Sequence, residues 1–78
     1  MNREELIKAL NKLNIDPFYY SLEGHKREFA FNLEESYGKW TVYYFERGER
    51  SYEKTFDDEK KACEYIYDLI KNHSGLVK

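Results

Sequence analysis

Apolar residues recur at helical spacing at the two ends of the chain and alternate with polar ones between them. From Asn2 to Leu13, Leu6, Ala9, Leu10 and Leu13 fall on one stripe while Lys8, Asn11 and Lys12 face away, the pattern of an amphipathic helix. Asn2 and Glu5 have capping-box spacing, and Glu4 and Glu5 lie where the helix dipole favours negative charge. Asp16-Pro17 closes this segment, because proline drives the residue before it out of helical angles. From Phe18 to Phe56 the period is two, punctuated by Gly24, Gly38 and Gly48. Four strands are predicted, Phe18 to Glu23, Glu28 to Leu33, Lys39 to Glu46 and Arg50 to Phe56, with turns around His25, Ser36 and Arg47-Gly48. A second helix starts with Asp57 as N-cap, carries Ala62, Cys63, Ile66, Leu69 and Ile70 on its apolar stripe, and stops at Ser74-Gly75.

The order is therefore α-β-β-β-β-α, an α+β domain spanning residues 1–78. Short connections predict a four-stranded antiparallel meander with both helices packed on one face. Strand alternation then assigns Phe18, Tyr20, Leu22, Phe29, Phe31, Leu33, Trp40, Val42, Tyr44, Tyr52 and Phe56 to the helix side. The opposite side receives Tyr19, Glu23, Glu28, Tyr43, Phe45 and Glu53 among smaller polar residues, and no lysine or arginine. Strand 39–46 is apolar on both faces, so its phase can be reversed, with Trp40, Val42 and Tyr44 outward. A turn over Gly24 to Arg27 would also set Glu23 opposite Glu28, a repulsive pair that a binding role would account for.

Composition removes several classes. Eight Tyr, five Phe and one Trp in 78 residues make an aromatic-rich chain with net charge −2, unlike a disordered one. The longest apolar run, Val42 to Phe45, is far below the ~20 residues of a membrane span. Charged residues interrupt Met1 to Leu10, so no secretory h-region is present there and a cytoplasmic location is expected. A lone Cys63 and two distant histidines offer neither an internal disulfide nor metal-ligand spacing, and isolated glycines cradle no phosphate. No cofactor is expected. The acid pairs Asp57/Asp58 and Glu34/Glu35 read as solvated capping and loop charges, and Cys63 as a core thiol, so the chain is not expected to be an enzyme. Thirteen basic against fifteen acidic residues leave no footprint for nucleic acid, and acids flanking the rings would repel phosphate.

Three stretches carry a family resemblance: Tyr20-Ser21-Leu22-Glu23-Gly24, the run Gly38-Lys39-Trp40-Thr41-Val42-Tyr43-Tyr44-Phe45-Glu46-Arg47-Gly48-Glu49-Arg50, and Phe56 through Ala62-Cys63-Glu64-Tyr65-Ile66. Together, over roughly Pro17 to Leu69, they resemble small bacterial immunity proteins of polymorphic or contact-dependent toxin systems. The chain departs from that pattern at Phe45, where a small polar residue usually precedes Glu-Arg-Gly. The resemblance implies a non-catalytic cytosolic inhibitor, monomeric or weakly dimeric when free, that binds the C-terminal domain of a cognate toxin, a nuclease in many cases. On the surface argument its contacts are Tyr19, Tyr43 and Phe45, rimmed by Glu23, Glu28 and Glu53, with charge steering a basic partner and the rings anchoring it. The alternative is a structural or regulatory module that self-associates through the same aromatic strip.

Overall fold

In a computed structural model the described residues are 1–24 and 26–73. The first helix, α1 (Arg3–Lys12), starts as its sequence dictates: the Asn2 side chain accepts from the Glu5 amide at 2.9 Å and the Glu5 carboxylate accepts from the Asn2 amide at 2.9 Å. It ends earlier than Asp16-Pro17 requires. Asn14 takes a left-handed φ of 59°, its amide bonds the Asn11 carbonyl at 3.0 Å and the Ile15 amide reaches back to Leu10 at 3.2 Å, the paired bonds of a Schellman stop. Ile15 thereby joins Leu10 in the core.

The predicted strand over Phe18 to Glu23 is mostly absent. Asp16 accepts from the Phe18 amide at 2.9 Å and proline sits at the next position, so Pro17–Tyr19 winds into a 3₁₀ turn. Only Tyr20–Ser21 remains extended as β1. The other strands are β2 (Ala30–Ser36), β3 (Lys39–Glu46) and β4 (Glu49–Phe56), in sheet order β1-β2-β3-β4. The antiparallel meander holds for β2, β3 and β4, but β1 runs parallel to β2, with Tyr20 against Phe31 and Ser21 against Asn32. Residues 22–24 and 26–29 thus belong to a return loop and not a hairpin turn, Glu23 does not face Glu28 across a ladder, and the expected turn residue His25 lies outside the described residues.

Both hairpin turns have two central residues at positive φ, Tyr37-Gly38 (52° and 77°) and Arg47-Gly48 (52° and 79°), which matches the right-handed twist of the flanking strands. Tyr37 is fully exposed there. Asparagine occupies the left-handed region at lower steric cost, so Tyr37→Asn is expected to stabilise the fold by about 0.5–1 kcal/mol, read as a rise of a few degrees in thermal midpoint. No gain would show that the turn carries the ring without strain.

The second helix, α2 (Glu59–Lys71), is capped by Asp58, whose carboxylate accepts from the Lys60 amide at 2.8 Å. The expected cap, Asp57, instead pairs with Lys39, which holds its carboxyl below the usual range first by hydrogen bonding and then by charge. The Ser74-Gly75 stop lies outside the described residues. Leu6 and Leu10 of α1, Ala62, Cys63, Ile66 and Ile70 of α2, and Phe31, Leu33 and Val42 of the sheet form one buried cluster, with Trp40, Tyr44 and Phe56 packed against it. Trp40, Val42 and Tyr44 therefore point to the helices, which fixes the phase of β3.

Candidate interaction surface

The face of the sheet away from the helices differs from its expected acidic character, and a single irregularity explains most of the difference. Trp40, Thr41 and Val42 pair with Phe56, Thr55 and Lys54, but Tyr44 and Phe45 pair with Ser51 and Arg50, so β4 carries one extra residue. Tyr52, at φ 59°, absorbs it. The bulge reverses the alternation of the preceding residues and brings Arg50 across from Phe45. Its guanidinium lies 4.0 Å from the centre of the Tyr43 ring and pairs with Glu53 at 2.9 Å. From the return loop, the Lys26 ammonium sits 5.0 Å from the centre of the Phe45 ring.

Tyr43, expected to be an open docking ring, is fully buried, and its hydroxyl donates to Glu34. Burial first, and the Glu34 hydrogen bond second, push its phenol well above the usual value. Phe45 packs edge-on to it at 6.4 Å. Of the six predicted contact residues, Tyr43, Phe45 and Glu53 do share a face, but cations cover two of the rings and hold the acid. Tyr19 ends the 3₁₀ turn, Glu23 follows Leu22 beside α1, and Glu28 lies in the return loop, so none of the three joins them. Among the described residues the expected bare anionic strip is absent from this face.

Besides Tyr37 at its hairpin turn and Tyr52 at the bulge, the exposed aromatic residues lie on the 3₁₀ turn and the return loop. Asn32, buried within β2, accepts from the Arg27 amide at 2.9 Å and donates to the Arg27 carbonyl at 3.2 Å and the Ala30 carbonyl at 3.0 Å. One side chain thus satisfies the turning backbone on both sides and fixes its shape. Phe29 is held at φ 59°, rare for a bulky residue, with its amide bonded to the Phe45 carbonyl at 2.7 Å and its side chain 51 % exposed. Phe18, on the 3₁₀ turn, is 74 % exposed. Arg27 ties the two segments together, donating to the Pro17 carbonyl at 2.9 Å with its guanidinium 5.9 Å from the Phe18 ring centre. Two phenylalanines thus face outward, Phe18 on the 3₁₀ turn and Phe29 on the strained, clamped loop, in a chain small enough to need its apolar side chains for burial.

The sequence pattern assigned both rings to the helix side, and one signal against that was present: asparagine is disfavoured in strands, and Asn32 stands between Phe31 and Leu33. Beside the loop a groove of about 320 Å³ runs between α1 and β1, over Ile7, Pro17, Tyr20, Leu22 and Arg27.

Chemistry at Cys63 is disfavoured by its surroundings. It is fully buried, and desolvation first, then Glu59, pushes its thiol up to about 11, so it is protonated at neutral pH. Among the described residues no group of three or more His, Cys, Asp or Glu could hold a metal ion, and no helix is long and apolar enough to cross a membrane. Compared with protein-family models, curated proteins and solved structures, the chain matches none of them.

Proposed function

We propose that the chain is a cytoplasmic immunity protein that binds the C-terminal domain of a cognate toxin, a nuclease being the target class, and neutralises it by occlusion without catalysis. The observation that carries this reading is the Phe18–Arg27–Phe29 surface, kept rigid by Asn32. Aromatic and arginine side chains are the residues that dominate binding energy in interfaces, and a loop already fixed in shape avoids the entropic penalty of ordering on contact. The Trp40–Gly48 run, on which the family resemblance is most specific, meets this loop at Phe45, whose carbonyl accepts from the Phe29 amide at 2.7 Å. That run forms β3 and the β3–β4 turn, a scaffold role, while Phe18 and Phe29 lie outside all three resembling stretches and so are positions that can vary with the target. A standard interface would cover roughly 800 Å² on this side, a sizeable fraction of the 5256 Å² the chain exposes.

The test pairs Phe18→Ala with Phe29→Asn, the second chosen because asparagine tolerates the left-handed backbone. Both rings are exposed, so the double variant should unfold at nearly the parental temperature yet bind the toxin encoded beside it about 100-fold more weakly. Unchanged affinity would take this surface out of the account. If the parent chain neither binds that toxin nor protects cells from it, the immunity reading itself fails.

A further inference from the structure

We infer that the groove between α1 and β1 receives an extended segment of the partner protein that carries lysine or arginine beside apolar side chains. The inference deepens the reading above and rests on it, since it takes the occupant to be part of a protein target. Three hollows join end to end here: the one under Phe18 shares Pro17 and Arg27 with the central groove, which shares Ile7, Leu22 and Glu23 with a third that reaches Arg3 and Glu4. A row of open hollows sharing lining residues suits an extended chain better than a helix or a compact ligand. Its floor is apolar, with Ile7 39 % exposed, unusually open for an isoleucine on a helix that buries its neighbours Leu6 and Leu10.

Its charge selects the occupant. Arg3 donates to the Leu22 carbonyl at 3.3 Å and its charge is met by Glu59 at 3.6 Å, while Arg27 donates to the neutral Pro17 carbonyl and keeps its positive charge. Glu4, Glu23 and Asp16 are exposed and, among the described residues, form no ion pair, so against Arg27 the lining carries an excess of negative charge. The sheet's two margins differ as well. On one side β4 is bulged and studded with Arg50, Glu53 and Lys54, the devices that discourage strand addition, while on the other β1 is a two-residue margin beside these hollows. So short a strand can offer little main-chain pairing, which leaves side-chain contacts to Ile7 and Leu22 and carboxylate pairs at Glu4 and Glu23 to supply the recognition.

The experiment titrates the whole chain with an acetylated, amidated (Lys-Val)₃ peptide and follows backbone amides by NMR. Shifts confined to Ile7 and Tyr20–Glu23, saturating by about 1 mM, are expected, with Glu4→Gln/Glu23→Gln weakening the peptide about tenfold and added salt doing the same. A (Glu-Val)₃ peptide should not bind. Absent shifts, shifts along β4, or equal binding of the acidic peptide would overturn the inference. The same double glutamine variant is then measured against the neighbouring toxin. Full toxin affinity in that variant would discard the groove while leaving the immunity reading intact, whereas peptide capture without toxin binding by the parent would do the reverse.

Discussion

Asn32→Ala is expected to destabilise the fold by roughly 2–4 kcal/mol and to lower the thermal midpoint by about 10–25 °C. The substitution removes three hydrogen bonds at once, a buried one to the Ala30 carbonyl and two part-buried ones to the Arg27 amide and carbonyl. Each bond contributes about 0.5–1.5 kcal/mol net, and each unsatisfied buried group adds a desolvation penalty of comparable size. Asn32→Asp separates the donor role from the acceptor role. It keeps the size and the acceptor for the Arg27 amide but turns a negative oxygen toward two carbonyls, so at neutral pH it should be no better than alanine. Acid should partly rescue it, because protonation restores one donor; a buried carboxyl has a raised folded pKa, so its penalty shrinks as pH falls through that value. Circular dichroism melts at neutral and acidic pH read both effects, and an alanine variant within 0.5 °C of the parent would show that the loop holds itself.

The effect on binding should exceed the effect on stability. Without the clamp the Phe29 amide bond to Phe45 is left to hold its left-handed backbone, and residues 26–29 gain freedom that the partner must then remove. Faster amide exchange in that loop, together with a toxin affinity reduced even at temperatures where the variant is folded, is the expected combination.

Both helices and the two central hairpins could be read from local chemistry because each is decided by neighbours in sequence. The Asn2–Glu5 reciprocal cap and the Arg47-Gly48 turn involve residues within a few positions of one another, whereas the turn expected around Ser36 lies at Tyr37-Gly38 and the phase of β3, apolar on both faces, is fixed only by the helices that pack on it. The departures come from competition that alternation does not register. Asp16 and Pro17 satisfy the backbone of Phe18 locally, which takes that residue out of the sheet before pairing is decided. A residue inserted at Tyr52 leaves each strand's composition untouched but flips Arg50 to the other face, and that one flip changes an acidic surface into a balanced one. The parallel β1 depends on Asn32 reaching five residues back to Arg27, a bond that period-two counting treats as one more polar position. For that reason the site moved: the rings assigned to the core, Phe18 and Phe29, are outside, and the ring assigned to the outside, Tyr43, is in.

Tyr43→Ala should therefore behave as a core deletion and not as the loss of a contact, at about 3–5 kcal/mol. The ring is fully buried between Arg50 and Phe45, and its removal strands the Arg50–Glu53 pair as well. Tyr43→Phe keeps the ring and removes only the donor to the half-buried Glu34, for which about 1.5–3 kcal/mol is expected. The hydroxyl also predicts an alkaline weakness. Its folded pKa lies above the ordinary phenol value, and that of Cys63 is raised from its usual 9.0 to about 11. Between the unfolded and folded values the unfolded chain gives up protons that the native chain retains. Stability is then complete below about pH 9 and declines as pH rises, the thiol acting first and the phenol above pH 10. Urea midpoints at pH 7, 9 and 10.5 should fall in that order for the parent, with a smaller drop in Tyr43→Phe and in Cys63→Ala, each measured from its own pH 7 midpoint. A Tyr43→Ala chain that melts like the parent, or midpoints that stay level across this range, would mean that Tyr43 stands in water, and the open sheet face would return as the place for a partner to bind.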